Sequence, residues 1–471
     1  MTTFVDAVKT QDAVTANGMK ARKSTTNNVV DLFFKIGASR GKDIIPDFVK
    51  AYVQDKDLAT RVALWARDPR GGAGERQLFR DILIYLENND PEIAMAMLAK
   101  VPELGRWDDI FVFTTPELKF AAFAMLKSAL DAGNGLAAKW TPRKGKLAQE
   151  IRTSFGWSPK FYRKTLVNLT KVVETQMCAN DWDNINFSHV PSVASARYKK
   201  AFNRHTTKFA EYVAALVKGD SEVKVNAGAV YPYDILKGIG GWGWDARYNK
   251  TERDHIIAQW NALPNLVGDA NILPLVDVSG SMTCRAGKNN SVSCMDVAVS
   301  LGLYLAEKNQ GKFKDAFLTF SGTPELLHLK GNIVEKCDQM VKSNWGMSTN
   351  LHAAFEKILN VAIKGKVPQA EMPEMLLILS DMQFDRCVNY DDSAMEMIER
   401  KYTAEGYTVP QIVFWNLNAN DNVPVKSDKS GAALVSGFSP SIVKAILAAD
   451  MSEFTPYGIM MKAIMNDRYA L

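Results

Sequence analysis

Apolar residues in the first half of the chain recur at helical spacing. Between Gln77 and Leu86, for example, Leu78, Ile82 and Leu86 fall on one stripe of a helix. Comparable short stretches, separated by Gly, Pro and Asp, occur at Leu58–Ala66, Ile93–Leu98 and Leu118–Leu130. Because α-solenoids stack pairs of short antiparallel helices, residues 1–270 are predicted to form irregular, HEAT-like helical repeats. No repeat of fixed period is present in this region.

The pattern changes at residue 271, where apolar runs of strand length begin to alternate with amphipathic stretches of helix length. Strands are predicted at residues 272–277, 315–320, 325–329, 375–380, 411–416 and 432–436. Helices are predicted at about residues 295–308, 333–343, 351–363, 393–404 and 440–449. This order is typical of a parallel-rich, doubly wound sheet, so residues 271–471 are expected to form a Rossmann-like α/β domain. The chain is thus predicted to be a multidomain protein of α and α/β class.

Oxygen-bearing side chains lie at the ends of two of these strands and before one helix. Asp277, Ser279 and Ser281 follow the first strand, Thr349 precedes a helix, and Asp381 follows a later strand. Ligands of open α/β sheets gather at the carboxyl ends of the parallel strands. Oxygen ligands suit a hard cation, Mg2+ before Mn2+ or Ca2+. The sequence therefore predicts a divalent-metal site made of these five residues.

The order Asp-x-Ser-x-Ser, then Thr, then Asp resembles the metal-ion-dependent adhesion site of von Willebrand factor A (vWA) domains. The resemblance implies that Ser279, Ser281 and Thr349 bind the metal through hydroxyls. It also implies that Asp277 and Asp381 bind it directly or through water. Such a site keeps an open position for a carboxylate or phosphate oxygen of a partner, so it is a binding device. The alternative is that Thr349 and Asp381 only cap loops.

Composition is ordinary for a soluble globular protein, with 471 residues, 47% apolar and 23% charged. No apolar run is long enough for a membrane span and the N-terminus lacks an apolar signal region, which predicts a cytoplasmic protein. The five Cys lack any Cys-x-x-Cys pair, which argues against a disulfide framework and a zinc site. Cys284 and Cys294, which flank the polar loop after the metal motif, are expected to be plain thiols.

Charge is distributed unevenly along the chain. The overall net charge is +5, but residues 1–270 carry +8 and residues 271–471 carry −3. Residues 139–218 alone hold 15 basic and 5 acidic side chains. Such a segment is a candidate for binding a polyanion, and the alternative is a solvated helical surface with its charge spread around it.

Basic residues in this segment are interleaved with the aromatic residues Trp140, Phe161 and Tyr162. That combination suits single-stranded nucleic acid, whose phosphates pair with cations while its bases stack on rings. The alternative is that the aromatic residues belong to the helical core. The candidate RNA-binding residues are Lys139, Trp140, Arg143, Lys144, Lys146, Lys160, Arg163, Lys164, Arg197, Lys199 and Lys200.

The run from Arg67 to Arg76 contains three Gly and three Arg, so a phosphate cradle is one interpretation. It lacks the Lys-Ser/Thr ending of a P-loop. The alternative is a tight turn between helices in which Arg67 and Arg76 pair with Asp68 or Glu75.

Catalytic motifs are not evident in the sequence. The five His show no metal spacing, and there is no Gly-x-Ser-x-Gly elbow or Cys/His arrangement. Asp385 follows Asp381 closely, and it is interpreted as a loop or cap residue. The protein is therefore expected not to be an enzyme.

Several segments resemble the TROVE-plus-vWA proteins related to the Ro autoantigen, and most closely a branch described as a domain of unknown function in plants, fungi, bacteria and viruses. The segments that carry the resemblance are Thr15-Ala16-Asn17-Gly18, Asp31-Leu32-Phe33-Phe34, Arg67 to Arg76, Gly105 to Asp109, Val190-Pro191-Ser192 and Trp345 to Asn350. For the Ro relatives, the family implies a ring of helical repeats closed by the vWA domain, with RNA in the central hole and along a basic outer face.

Two functions are compatible with these observations. The first is an RNA-binding ribonucleoprotein component, with a TROVE-like region at 1–270 and a vWA domain with its adhesion site at 271–471. The second is a metal-dependent protein-interaction or assembly module that captures a partner's carboxylate without RNA.

Overall fold

The computed structural model describes residues 12–237, 248–287, 292–320, 323–343, 349–386 and 393–471. The described part of the chain begins with a hairpin of strands β1 (Asp12–Val14) and β2 (Lys20–Arg22). The hydrophobic pattern did not predict this hairpin, because each strand is only three residues long. The Gly-rich run 238–244 lies outside the described residues.

The long elements among the described residues from 28 to 261 are helices. They are α1 (Asn28–Ile36), α2 (Ile45–Gln54), α3 (Lys56–Arg67), α4 (Gln77–Asn89), α5 (Pro91–Leu104), α6 (Pro116–Asp131), α7 (Gly135–Trp140), α8 (Lys146–Ser154), α9 (Pro159–Leu169), α10 (Val173–Cys178), α11 (Ser192–His205), α12 (Lys208–Lys218), α13 (Pro232–Leu236) and α14 (Lys250–Asn261). Successive helices such as α4 and α5 pack on each other. Several begin with a side-chain cap, as where Asp55 accepts from the backbone of Leu58.

Strands and helices alternate from residue 272 onward. The elements are β3 (Ile272–Asp277), α15 (Cys294–Lys308), β4 (Ala316–Phe320), β5 (Leu326–His328), α16 (Ile333–Lys342), α17 (Leu351–Gly365), β6 (Met375–Ser380), α18 (Ala394–Ala404), β7 (Gln411–Asn416), β8 (Ala432–Ser436), α19 (Val443–Leu447) and α20 (Pro456–Ile464). The strand order is β5-β4-β3-β6-β7-β8, with β5 antiparallel and the others parallel. The prediction of a parallel-rich sheet is confirmed.

Both faces of this sheet are buried, which explains why its strands are continuously apolar. On one face, Val276 and Leu379 pack in a core shared with α1, α3 and α15. On the other face, Leu275 and Ile378 pack against α17 and α18. The molecule is thus a mixed helical and α/β protein with helices on both sides of a central sheet.

The first helix packs directly on the last strand of the sheet. The side chain of Ser436 accepts from the backbone of Gly37 at 3.1 Å and donates to the carbonyl of Phe33 at 2.8 Å. A Cβ at Gly37 would lie only 2.6 Å from the Ser436 carbonyl oxygen, so the approach requires glycine. The N-terminal elements are therefore part of the sheet's packing, although Gly37 and Ser436 are 399 positions apart in the chain.

The two ends of the helical region meet beside the sheet. Arg40, after α1, contacts the hydroxyl of Tyr233 in α13 at 3.3 Å and stacks over the ring of Phe438, which follows β8. The hydroxyl of Tyr231 donates to the carbonyl of Ala73. The helices between α2 and α12 are thus held against the sheet at both ends.

Candidate metal centre

The carboxylate of Asp277 is fixed where β3 ends next to the end of β6. Its Oδ2 accepts from the hydroxyl of Ser380 at 2.6 Å, and its Oδ1 accepts from the backbone of Ser279 at 2.9 Å. Because β3 and β6 are parallel neighbours, their carboxyl ends bring Asp277 and Asp381 to the same edge of the sheet. Asp277 is fully buried there.

The two serines of the first motif reach the same place. A single 3-10 turn over Gly280–Thr283 carries Ser281 back toward β3, so that its Oγ lies 3.0 Å from Oγ of Ser279. The hydroxyl of Ser281 also hydrogen bonds to the carboxylate of Asp381. Four of the five predicted ligands are therefore linked by contacts among themselves, although they span two separate strand ends.

The two carboxylates sit in a setting that favours a cation. The pKa of Asp277 is raised to about 7, mainly by burial and secondly by the neighbouring carboxylate of Asp381. Burial also raises the pKa of Asp381 above its usual range. Two crowded, buried carboxylates repel each other unless a cation or a proton lies between them. Oxygen donors of this kind fit Mg2+.

Thr349 comes just before α17, as the sequence predicted. Asn350 provides the cap of that helix, since its Oδ1 accepts from the backbone of Ala353 at 2.8 Å, so Thr349 is not the capping residue. The carbonyl of Thr349 accepts from the backbone of Asp385 at 3.0 Å, which ties it to the loop after β6. Residues 345–348 of the same motif lie outside the described residues.

Asn17 is a neighbour of the site that sequence reasoning did not assign a role. Its Nδ2 donates to the carbonyl of Gln383 at 2.7 Å and lies 3.4 Å from Oγ1 of Thr349. Thr15 in the same turn donates to the carbonyl of Phe384 at 2.6 Å. The turn between β1 and β2 thus joins the loop that follows Asp381. The only sequence signal was the motif Thr15-Ala16-Asn17-Gly18, which carries the family resemblance.

Among the described residues, no group of three or more His, Cys, Asp or Glu side chains is placed to hold a metal ion. The present constellation contains two carboxylates, and its remaining donors are hydroxyls. With two acidic side chains, the site is not a group of that size, and Mg2+ binding here stays a prediction.

The basic segment forms a surface at one end of the helical region. Lys160, Arg163 and Lys164 are exposed on α9, and Phe161 between them is 54% exposed. Arg143, Lys144 and Lys146 are exposed in the loop before α8 and at its start. Tyr162 is buried, and its hydroxyl donates to the carbonyl of Pro142 at 2.6 Å, which holds this loop against α9. We call these seven exposed residues the α8–α9 basic surface.

Lys139 and Trp140 have partners inside the protein. The guanidinium of Arg106 lies 3.7 Å from the centre of the Trp140 ring. The ammonium of Lys139 lies 3.6 Å from the carboxylate of Glu174. Both side chains are half-buried, so this ring is already covered on one face.

The three candidates on α11 differ in accessibility. Arg197 is exposed, and Lys200 lies 4.3 Å from the ring centre of Tyr248. Lys199 is buried, donates to the carbonyl of Ala196 at 2.8 Å, and has its pKa lowered to about 8 by burial. A phosphate contact by Lys199 does not fit this position.

The run Arg67 to Arg76 forms a tight turn, and three of its charged residues form ion pairs with residues outside the run. Arg67 pairs with Asp109 at 2.7 Å, Asp68 with Arg468 at 2.6 Å, and Glu75 with Arg40 at 2.7 Å. The predicted partners within the run were therefore wrong. The backbone N–H groups of residues 72–75 all donate to carbonyls of residues 65–68, so they are not available to a phosphate.

The fold and the site define a mixed helical and α/β protein with an oxygen-rich centre at the carboxyl edge of a parallel-rich sheet. Residues 149–271 match a domain of unknown function, DUF2828, and residues 271–464 match another, DUF7788. Uncharacterized protein L728 of Acanthamoeba polyphaga mimivirus is 30% identical over 515 residues, covering 96% of this chain and 86% of that protein. The chain belongs to the same family as this viral protein.

These matches agree with the unknown-function branch indicated by the sequence, and its relation to the TROVE and vWA families stays a prediction. Among solved structures, the Ro (RSR) protein of Deinococcus radiodurans is similar with a TM-score of 0.38 and 14% identity, over 89% of this chain and 90% of that chain. In the part of the chain that the structure describes, no helix is long and apolar enough to cross a membrane.

Proposed function

We propose that the protein is an RNA-binding ribonucleoprotein component that also holds a Mg2+-class ion in its sheet domain. The observation that carries the RNA proposal is the α8–α9 basic surface, where six cations surround an exposed aromatic ring. The resemblance to the TROVE-plus-vWA proteins supports the same function.

The surface suits a single strand better than a duplex. Phosphates can pair with the Lys and Arg side chains, which project from two neighbouring elements, while a base stacks on Phe161. The ring of Trp157 lies nearly perpendicular to that of Phe161, at 84° and a centroid distance of 5.0 Å, and this contact helps to fix the orientation of the Phe161 ring. Recognition of this kind depends on charge and stacking, so it should tolerate many RNA sequences.

The ion would be held by Asp277, Ser279, Ser281, Thr349 and Asp381. When bound, it supplies a positive centre that accepts an oxygen anion from a partner. Ser380 and the backbone of Ser279 orient the Asp277 carboxylate, and the turn at Gly280–Thr283 positions Ser281. The protein's own groups thus prepare a binding site, and no activated nucleophile lies among these ligands.

RNA binding is tested by titrating labelled single-stranded RNA with the purified protein over a series of salt concentrations. Log affinity should fall linearly with log salt, by roughly 0.7 for each phosphate contacted. Chelation of divalent ions should leave the affinity nearly unchanged, because the α8–α9 basic surface does not include the metal ligands. Absence of RNA affinity at low salt contradicts the proposal.

A second function, metal-dependent capture of a partner's carboxylate, is favoured by one observation. Asp277, Ser279 and Asp381 are buried, whereas Ser281 is exposed. An ion here would therefore be reachable from one side. Partner capture that is lost on chelation and in Asp277→Ala, in a protein without RNA affinity, would establish this function instead.

A further inference from the structure

The two cysteines that flank the loop after the metal motif face each other across a short antiparallel pair. Sγ of Cys284 lies 3.5 Å from Sγ of Cys294. The backbone of Cys294 donates to the carbonyl of Cys284 at 2.9 Å, and the next residues inward, Arg285 and Ser293, form an antiparallel bridge. Hydrogen-bonded antiparallel pairs have Cα atoms about 5.5 Å apart, which lies within the range that a disulfide spans.

The two thiols differ in accessibility. Cys284 is half-buried, and Cys294 is buried at the start of α15, where its thiol contacts the carbonyl of Leu417 at 3.4 Å. Both are reduced in this structure. The first sulfur to react with a reagent from solvent would therefore be that of Cys284, and Cys294 is placed to resolve the product.

A cavity of about 240 Å3 lies beside the pair. Its lining includes Cys294, the cations Arg40, Lys42 and Arg285, and no acidic side chain. Arg40 is neutralised by Glu75, whereas Arg285 is exposed and has no carboxylate partner among the described residues. Such a lining favours an anionic thiol reagent, and glutathione disulfide carries several carboxylates.

We propose that Cys284 and Cys294 form a reversible disulfide by exchange with glutathione disulfide. The Cys284 thiolate attacks one sulfur of the reagent and releases one glutathione thiolate. Cys294 then gives up its proton, attacks the Cys284 sulfur of the mixed disulfide and releases the second glutathione. Two electrons pass from the cysteines to glutathione disulfide, and the two protons end on the two glutathione molecules. The sulfurs need to approach from 3.5 Å to bonding distance, and both cysteines lie directly beside the same antiparallel bridge.

The cross-link would act on the proposed metal loop, and this second step rests on the proposed function. The backbone of Cys284 donates to the carbonyl of Ser281 at 3.3 Å. A disulfide at Cys284 restrains the turn that carries the Ser281 hydroxyl. The turn then loses less conformational entropy when the ion binds. Oxidised protein should therefore bind Mg2+ several-fold more tightly than reduced protein. By reciprocity, Mg2+ should favour the disulfide.

The site is tested by incubating the full chain with mixtures of reduced and oxidised glutathione, trapping free thiols and mapping peptides by mass spectrometry. The expected result is a Cys284–Cys294 link that reforms after reduction. A parallel experiment uses a variant with Cys178→Ser, Cys337→Ala and Cys387→Ser, which should form the same link. Failure to find it in the wild-type protein, or stable glutathione adducts in its place, overturns the proposal.

Calorimetry with Mg2+ on the reduced and oxidised proteins tests the coupling. The Cys284→Ser variant is the control, and its affinity should not respond to glutathione disulfide. Equal affinities in the two redox states of the wild type contradict the coupling. If neither state binds Mg2+ but the link forms, the metal site is wrong and the modification site stands.

Discussion

Asn17 Nδ2 lies 3.4 Å from Oγ1 of Thr349, although 332 positions separate the two residues in the chain. The same amide donates to the carbonyl of Gln383, two residues after Asp381. The turn of the N-terminal hairpin thus connects the two later elements of the candidate metal site. This relationship gives the Thr15–Gly18 motif a physical role, since it holds Thr349 beside the loop that follows β6.

Replacing Asn17 with Ala should weaken Mg2+ binding without removing it. The amide contacts with the Thr349 hydroxyl and the Gln383 carbonyl are both lost, and the loss of support for Thr349 corresponds to about fivefold in affinity. Calorimetry measures the change. Asn88→Ala is the matched control, because Asn88 is exposed and its amide donates to the carbonyl of Ile84 within the same helix. Equal affinities of the two variants would show that Asn17 does not position Thr349.

Asp277→Ala should abolish Mg2+ binding, because it removes the buried carboxylate on which the other ligands converge. The expected loss of Mg2+ affinity is more than about 100-fold, which exceeds the effect of replacing a residue that only supports a metal ligand. Calorimetry measures the affinity, and circular dichroism confirms that the variant is folded. Asp269→Ala, at an exposed position before the amino end of β3, should bind as the wild type does. Full affinity in Asp277→Ala would refute the assignment.

Mg2+ should stabilise the protein more at high pH than at low pH. The pKa of Asp277 is raised to about 7, so the folded metal-free protein retains a proton that the unfolded chain releases at lower pH. Metal-free stability should therefore fall as pH rises from the ordinary carboxyl range to about 7. Ion binding needs the ionised carboxylate, so affinity should rise by up to about tenfold per pH unit in that window.

Thermal unfolding at about pH 5 and about pH 8, with and without Mg2+, measures this effect. The rise in melting temperature on adding Mg2+ should be larger at the higher pH. In Asp277→Asn, the fall in metal-free stability that the Asp277 carboxyl causes should be absent. The pH-dependent increase in stabilisation by Mg2+ should also be absent. The same Mg2+ effect at both pH values would argue against a protonated Asp277 in the metal-free site.

The sheet could be predicted closely because its strands are buried on both faces and therefore apolar without interruption. The strands at 272–277, 375–380, 411–416 and 432–436 were predicted with the bounds that the structure shows. The helix predicted at 440–449 is shorter, because Pro440–Ile442 forms a 3-10 turn before α19. Helix α20 was missed, although it packs on β8 and α3.

The sequence could not predict which residues form contacts when they lie far apart along the chain. The acids and arginines of the run from Arg67 to Arg76 looked paired locally, because spacing along the chain was the only available measure of distance. The structure instead pairs Asp68 with Arg468, 400 positions away. For the same reason Asn17 could not be placed at the metal site, and Lys199 could not be recognised as buried.

The metal centre should not turn over a substrate by itself. The carboxylates of Asp277 and Asp381 accept hydrogen bonds from hydroxyl and backbone donors. Among the described residues, no further titratable side chain is hydrogen bonded to them that could act as a general base. Purified protein with Mg2+ should leave nucleotides and RNA intact over long incubation, as judged by chromatography and gel electrophoresis. Metal-dependent hydrolysis that disappears in Asp381→Ala would mean that the site is catalytic.

Charge reversal on the α8–α9 basic surface should weaken RNA binding for all sequences alike. The variant carries Lys144→Glu, Lys146→Glu, Arg163→Glu and Lys164→Glu, at four exposed positions on two neighbouring elements. Each phosphate contact that is lost reduces the number of counterions released on binding. The slope of log affinity against log salt should therefore become shallower by roughly 0.7 for each lost contact. Titrations of labelled single-stranded RNA over a salt series measure both quantities.

The control for this variant must change the net charge equally without touching the surface. Lys342, Lys357, Lys364 and Lys366 are exposed on α16 and α17 and just after α17. Reversing these four to Glu should lower the affinity only through the weak long-range field, with the salt slope nearly unchanged. Phe161→Ala, which keeps every charge, should lower the affinity at all salt concentrations by the loss of stacking, about 1–3 kcal/mol. Equal effects of the two charge reversals, together with no effect of Phe161→Ala, would place RNA binding elsewhere on the molecule.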